Sequence, residues 1–226
     1  MSPPSSAMLL PLVAALLVQA PPAPHRVLIR DVTIISPERK DPLQQGYVVL
    51  ENDRIAAVGH GAPPATRWDS VVVGRGRVLI PGLIDGHTHL AVAAGLPLPV
   101  PPELRSLAAA YAEQLPRSYL YSGFTTVIDL AAFDRAFLDR FKAAPLHPDS
   151  YDCGGALALA NGYPMAMLPK DLRWDVFPNF LWDPRQQDSI PGRFRPGDHT
   201  PKATVARVAA EGGICEIGRA SCRERV

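Results

Sequence analysis

The sequence predicts an α/β chain in two parts, a small β-rich segment followed by strands and helices in alternation. Three observations carry this. Residues 26–58 hold short β-branched runs separated by turn residues. Residues 79–215 alternate short apolar runs with amphipathic stretches, the pattern of parallel strands joined by crossover helices. The 226 residues carry 23 basic and 22 acidic side chains, dispersed rather than clustered, as an ordinary globular domain does.

In the first part, Arg26-Val-Leu-Ile-Arg30-Asp-Val-Thr-Ile-Ile-Ser36, Tyr47-Val-Val-Leu50 and Arg54-Ile-Ala-Ala-Val58 read as strands of a small antiparallel sheet. Glu51-Asn52-Asp53 supplies hairpin-turn chemistry between the last two, and Ser70-Val-Val-Val73 offers a further strand. Taken alone, these strands fit any small β-domain.

The apolar run over residues 78–90 ends in two histidines separated by one residue. In a strand, side chains alternate between faces, so His87 and His89 project from one face with Asp85 two places below them. Neutral imidazole is a good ligand for Zn, Ni, Fe or Mn. Spacing alone describes a pair of surface or core histidines better than a metal site. The flanks reverse that balance. Pro81-Gly82-Leu83-Ile84-Asp85-Gly86-His87-Thr88-His89, preceded by Gly76-Arg77-Val78-Leu79-Ile80, closely resembles the first barrel strand of the amidohydrolase superfamily, metal-dependent hydrolases built on a (β/α)8 barrel. The strands ahead of it are then similar to the accessory β-sandwich that such enzymes assemble from both chain ends. The resemblance implies an incomplete (β/α)8 TIM barrel preceded by part of a small β-sandwich.

Beyond the histidines, Leu96-Pro-Leu-Pro-Val-Pro-Pro102 reads as an extended loop. Residues 103–121 place Leu104, Leu107, Ala108, Tyr111 and Leu115 at helical spacing, with Pro116 expected to kink or divide the helix. Gly123-Phe-Thr-Thr-Val-Ile-Asp129-Leu130 reads as the second barrel strand. It is similar to the Gly-Val-Thr-Thr-Val-Arg-Asp phrase of imidazolonepropionase-like and prolidase-like amidohydrolases, with Ile128 in place of the usual Arg. Asp129 is expected to cap the helix that follows rather than to be catalytic. That helix covers residues 132–143, with Phe133, Phe137, Leu138 and Phe141 on one side. A third strand is expected over residues 151–160, followed by a turn at Asn161-Gly-Tyr163-Pro164; by resemblance Tyr163 borders the active site, whereas turn chemistry alone explains the residues. Residues 168–199 show no sustained period and read either as a lid or as disorder. Thr200-Pro201 opens a helix that Gly212-Gly213 ends, and Ile214-Cys215 would enter a fourth strand.

Glu216-Ile-Gly-Arg-Ala-Ser-Cys-Arg-Glu-Arg-Val226 can be written in codons that reproduce a common short-read sequencing adapter after its first base, so residues 216–226 are expected to be translated library DNA. A complete barrel takes about 250 residues. The stretch over residues 81–215 is therefore expected to hold the first three to four βα units, with residues 25–80 as the sandwich part. In the resembling family a bridging carboxylate or carboxylated lysine, further histidines and a late aspartate complete the metal site; none of those positions can be located here, and the catalytic residues stay unknown.

Residues 1–20 contain an apolar run bounded by small and Pro-rich residues, too short for a confident membrane span. They fit a secretory signal cleaved after Ala20, although no Lys or Arg precedes that point; an uncleaved anchor and a buried helix compete with this reading. The expected destination is periplasmic or secreted. Cys222 falls in the suspect tail, and Cys153 and Cys215 are expected to be small buried residues without a disulfide framework. Without the tail the acidic and basic residues balance, so neither nucleic acid nor an anionic membrane is an expected partner.

The function implied by the resemblance is cleavage of an amide or other C–N bond in a small molecule by metal-activated water. His87 and His89 would be ligands to a divalent metal, zinc being favoured, with one or two ions. Cyclic amides, acyl-amino acids and dipeptides are the implied substrates, and an oligomer is compatible. The alternative is a catalytically inactive polypeptide with weak or no metal binding, because two histidines fall short of the three protein ligands usual at a catalytic zinc.

Overall fold

The computed structural model describes residues 23–215, so the expected signal over 1–20 and the tail over 216–226 lie outside the described residues. The chain forms two compact units divided between Pro81 and Gly82.

The first unit is a four-stranded sheet of β1 (Arg26–Ile34), β2 (Leu43–Glu51), β3 (Arg54–His60) and β4 (Ser70–Leu79), in the order β3-β2-β1-β4. The hairpin turns where expected: Asn52 adopts φ 55° between β2 and β3, and its carboxamide oxygen accepts the His25 N–H. The sheet is mixed rather than antiparallel, because β4 runs parallel to β1, with Val27 opposite Ser70 and Ile34 opposite Leu79. The start of β4 is fastened beside the start of β1. Asp69 N–H donates to the Arg26 carbonyl, and Arg26 N–H donates to the Asp69 carboxylate at 2.7 Å. Midway, β1 and β4 slip register. A Cβ built on Gly74 would sit 2.2 Å from Val32 Cγ1, so the close approach requires glycine there. Val32, Ile34 and Val48 form the buried centre, with Leu43, Leu50 and Leu79 packed on it. Val71, Val72 and Val73 stay exposed.

Gly76-Arg77-Val78-Leu79 therefore belongs to this first sheet, and the apolar run over residues 78–90 is cut by Pro81 into two strands. Proline has no N–H for a ladder, which ends β4 before the second unit begins.

The second unit opens with a three-stranded parallel sheet of β5 (Leu83–Thr88), β6 (Phe124–Asp129) and β7 (Asp149–Asp152). Helix α1 (Arg105–Tyr121) joins β5 to β6, and α2 (Arg135–Ala143) joins β6 to β7. Leu90, Leu115, Val127, Phe137, Leu138 and Phe141 make one core between helices and sheet. Fully burying side chains of this size contributes about 1.5–3 kcal/mol each. Pro116 lies inside a single α1 rather than dividing it; like Leu115 it is buried, so tertiary packing outweighs the missing hydrogen bond. Leu107, expected on the buried face, is 55% exposed. Helix α2 begins at Arg135, after an Asp134 cap whose carboxylate accepts the Phe137 N–H at 2.9 Å. Phe133 is thus outside the helix.

The third strand is shorter than expected and stops at Asp152, because Gly154 turns with φ 78°. Residues 158–159 form β8 (Ala158–Leu159) of a separate pair, parallel to β9 (Phe180–Leu181), with the short α3 (Arg173–Val176) between them. The segment read as lid or disorder is a packed core of Met165, Trp174, Phe177, Phe180 and Ile190. Phe180 is fully buried, its ring 5.0 Å from Trp174 and stacked on His199 at 3.8 Å. Helix α4 (Pro201–Ala210) starts as expected, Thr200 Oγ1 accepting the Ala203 N–H. Ile214 then donates one backbone hydrogen bond to the Asp152 carbonyl, although residues 211–215 form no strand.

That return also corrects the reading of the cysteines. Cys153 and Cys215 are joined in a disulfide across 62 positions of sequence. Cys153 follows β7 directly, and the Ile214 hydrogen bond brings Cys215 beside it. Among the described residues no helix is long and apolar enough to cross a membrane.

Candidate metal centre

The histidine strand is positioned by a close backbone contact. A Cβ on Gly82 would lie 2.0 Å from Thr125 Oγ1, so only glycine lets the chain enter β5 against β6 at this distance. Alternation then sorts the strand's side chains. Thr88 and Leu90 are buried, while His87 and His89 are exposed on the other side, their ring centroids 5.6 Å apart and nearly perpendicular. Asp85 Oδ1 accepts the His87 N–H at 3.1 Å. The sequence-level expectation that His87 and His89 share a face agrees with this geometry.

Thr88, Asp129 and Asp152 lie on one rung at the C-terminal ends of the three parallel strands. Asp129 is fully buried and caps no helix; that role belongs to Asp134. Its Oδ1 accepts the Ala131 N–H at 3.0 Å and its Oδ2 the Leu90 N–H at 3.3 Å. Burial pushes its carboxyl up to about 6, against the opposing pull of these two N–H groups. Asp152 is nearly as buried but has cations: Arg135 at 2.9 Å and Lys142 at 3.8 Å. It also accepts the Gly154 N–H. Asp85, Asp129 and Asp152 thus each accept the N–H two residues ahead, the side-chain turn that aspartate makes readily. Beneath the rung, Tyr119 packs edge-on to Phe124 and Phe141, and burial raises its phenol to about 12.

Two contacts near the histidines have no period in the sequence to announce them. The Phe133 ring lies 6.2 Å from that of His89, and Phe133 meets Phe177 edge-on at 5.5 Å. A chain of rings therefore runs from His89 to the aromatic core of the β8–β9 segment. The Asn161 turn is held by Arg173, whose Nη1 donates to Asn161 Oδ1 at 3.2 Å, and Tyr163 on that turn is half exposed.

Two imidazoles on one strand face suit a divalent ion that takes nitrogen donors. Among the described residues no three His, Cys, Asp or Glu side chains gather to hold a metal ion. Nor do the described residues offer a third donor that the sequence reading overlooked.

No family model matches the chain. It is similar to a 5-methylthioadenosine/S-adenosylhomocysteine deaminase of Syntrophomonas wolfei, 29% identical over 92 residues that cover 40% of this chain and 18% of the deaminase. An imidazolonepropionase of Treponema denticola is 35% identical over 71 residues, covering 28% of this chain and 17% of that enzyme. Among solved structures, A. niger ochratoxinase matches the fold with a TM-score of 0.54 at 22% identity, over 68% of this chain and 37% of the other. The chain thus spans less than a fifth of the curated relatives it matches. The relatives and the structural neighbour point to the amidohydrolase superfamily.

Proposed function

We propose that this chain supplies the first strands of a metal-dependent hydrolase acting on a C–N bond of a small molecule, with His87 and His89 as two of its metal ligands. The observation that carries the reading is the pair of imidazoles on one face at the C-terminal end of the first strand of a parallel sheet, the end at which barrel enzymes build their chemistry. On this proposal β5, β6 and β7 are the first three strands of a (β/α)8 barrel. Zinc is the proposed ion, one or two per site, since neutral imidazole is among its usual ligands. When bound, a divalent ion in such a site supplies Lewis acidity toward water and a carbonyl oxygen.

The chain's own residues have narrower tasks. The two imidazoles hold nitrogen donors toward the open face, and Asp85 steadies the backbone of His87. Phe133 presents an apolar ring beside His89. The relatives' names, a deaminase and an imidazolonepropionase, support a C–N bond in a small molecule, and cyclic amides, acyl-amino acids and dipeptides remain the proposed classes.

A second reading concerns the 226 residues by themselves. With two donors and no third among the described residues, they bind metal weakly or not at all and are inactive. Reading the source gene through the codon of Cys215 tests the first proposal. Further histidines and a late aspartate are expected, and a long continuation without them overturns it. Metal analysis of the dialysed 226-residue chain tests the second, with little or no metal expected. Export is proposed as well, supported by the Cys153–Cys215 disulfide, since such bonds persist in oxidising compartments. The mass of the mature natural product should place its first residue near Pro21.

A further inference from the structure

We propose that Asp129 is a positioning residue for His89, its carboxylate fixing the backbone on the far side of the histidine and with it the direction of the imidazole. The functional consequence rests on the reading of His87 and His89 as metal ligands; the positioning does not.

Asp85 within β5, and Asp129 and Asp152 at the ends of β6 and β7, each accept the N–H two residues on, but of the three only Asp129 also reaches the neighbouring strand's loop. Asp85 accepts from His87, and Asp152 from Gly154 together with its cations. Asp129 divides its two oxygens between two loops, Oδ1 on Ala131 in its own and Oδ2 on Leu90 in the one after β5. Starting a turn needs one oxygen. A fully buried carboxyl needs a partner for its second oxygen as well, and the partner it takes is the backbone at the exit of the neighbouring strand.

His89 is bracketed by β6 on both sides. Before it, Thr88 Oγ1 donates to the Ile128 carbonyl at 3.0 Å, and the Thr88 carbonyl accepts the Leu130 N–H at 3.0 Å. After it, Leu90 is held by Asp129 through its N–H and by the core through its side chain, which is 1% exposed. The loop that Asp129 Oδ1 fastens at Ala131 also carries Phe133, whose ring lies against His89. One carboxylate therefore controls the backbone of His89 and the wall beside its ring.

The test uses the 226-residue chain without metal. Hydrogen exchange, read by mass spectrometry, follows the Leu90 amide, and the slow exchange of the imidazole C2 proton follows each histidine separately. Asp129→Ala removes both acceptors. The Leu90 amide should exchange at least ~10-fold faster, and His89 C2 exchange should change by at least ~2-fold while that of His147, beyond α2, stays as it was. If His147 and the β6 amides change with His89, the effect is general loosening and the proposal falls. Asp129→Asn keeps the shape with one acceptor and serves where the alanine variant fails to fold. His89 should then change with whichever amide is set free, through its own backbone if that is Leu90 and through Phe133 if it is Ala131. A freed Leu90 with an unchanged His89 overturns the proposal. A zinc titration read on the same C2 protons separates the two readings. Where the unmutated chain binds zinc, tenfold or greater weakening in Asp129→Ala is expected, and equal affinity in the two chains removes the functional consequence while the positioning stands on the exchange data.

Discussion

The carboxylate of Asp129 accepts the Leu90 N–H, so the exit of β5 is tied to the end of β6 by a side chain as well as by the ladder between the strands. The group that makes this tie is buried, and its carboxyl is raised to about 6. Backbone order at the candidate ligands and the protonation of a neighbouring strand are thereby linked.

A pH dependence of stability follows. An unfolded aspartate loses its proton near 3.9, whereas folded Asp129 keeps it to about 6. The folded chain binds more protons between these values, so the contribution of Asp129 is fully present below about pH 4 and is lost as pH rises through 6. Relative to Asp129→Asn, the unmutated chain should lose stability on going from pH 4 to pH 7, by ~2 kcal/mol in denaturant titrations. A difference that is flat with pH would show that the carboxyl titrates normally.

In a protein that carries the remaining ligands, His87→Ala and His89→Ala should each reduce bound metal and hydrolysis together. Loss of groups that merely support a ligand commonly weakens metal binding by about 10–100-fold, so loss of a ligand should exceed ~100-fold. Chelation should reproduce the loss and zinc should reverse it. Unchanged metal content in both variants would remove the two histidines from the site.

Reduction of the disulfide, or Cys153→Ser, should destabilise the second unit. Closing a loop of 62 positions restricts the unfolded chain by up to ~4 kcal/mol in the chain-entropy account. Unfolding curves with and without a thiol reductant should differ by about 2–4 kcal/mol. Full alkylation of Cys153 and Cys215 without prior reduction would show that the bond does not form.

Phe180→Ala should disrupt the β8–β9 core, since the ring is fully buried among Trp174, Phe194 and His199. Truncations of this kind cost about 3–5 kcal/mol. Trp174 fluorescence should shift toward that of exposed indole at lower denaturant concentration. An unaltered midpoint would mean that the aromatic cluster contributes little.

Local signals proved legible where one residue type answers one geometric need. Alternation placed His87 and His89 together, Asn52 marked a hairpin, and Thr200-Pro201 opened a helix. What escaped depends on contacts between distant positions. The parallel course of β4 is decided by Asp69 meeting Arg26, and the disulfide by Ile214 reaching Asp152. The aromatic core over residues 165–199 has no period because its members come from turns and short helices rather than from one face of one element. Asp129 looked like a helix cap because an aspartate after a strand usually finds helix N–H groups. Here Asp134, five residues later, reached them first.

The repeated device at the strand ends has a consequence for how this framework tolerates change. Asp129 and Asp152, the last residues of β6 and β7, each turn the chain with a carboxylate oxygen that accepts the N–H two residues ahead. The direction in which each loop departs is therefore set before the loop's own sequence begins. Such a division of labour separates the geometry of the sheet from the composition of the loops that leave it.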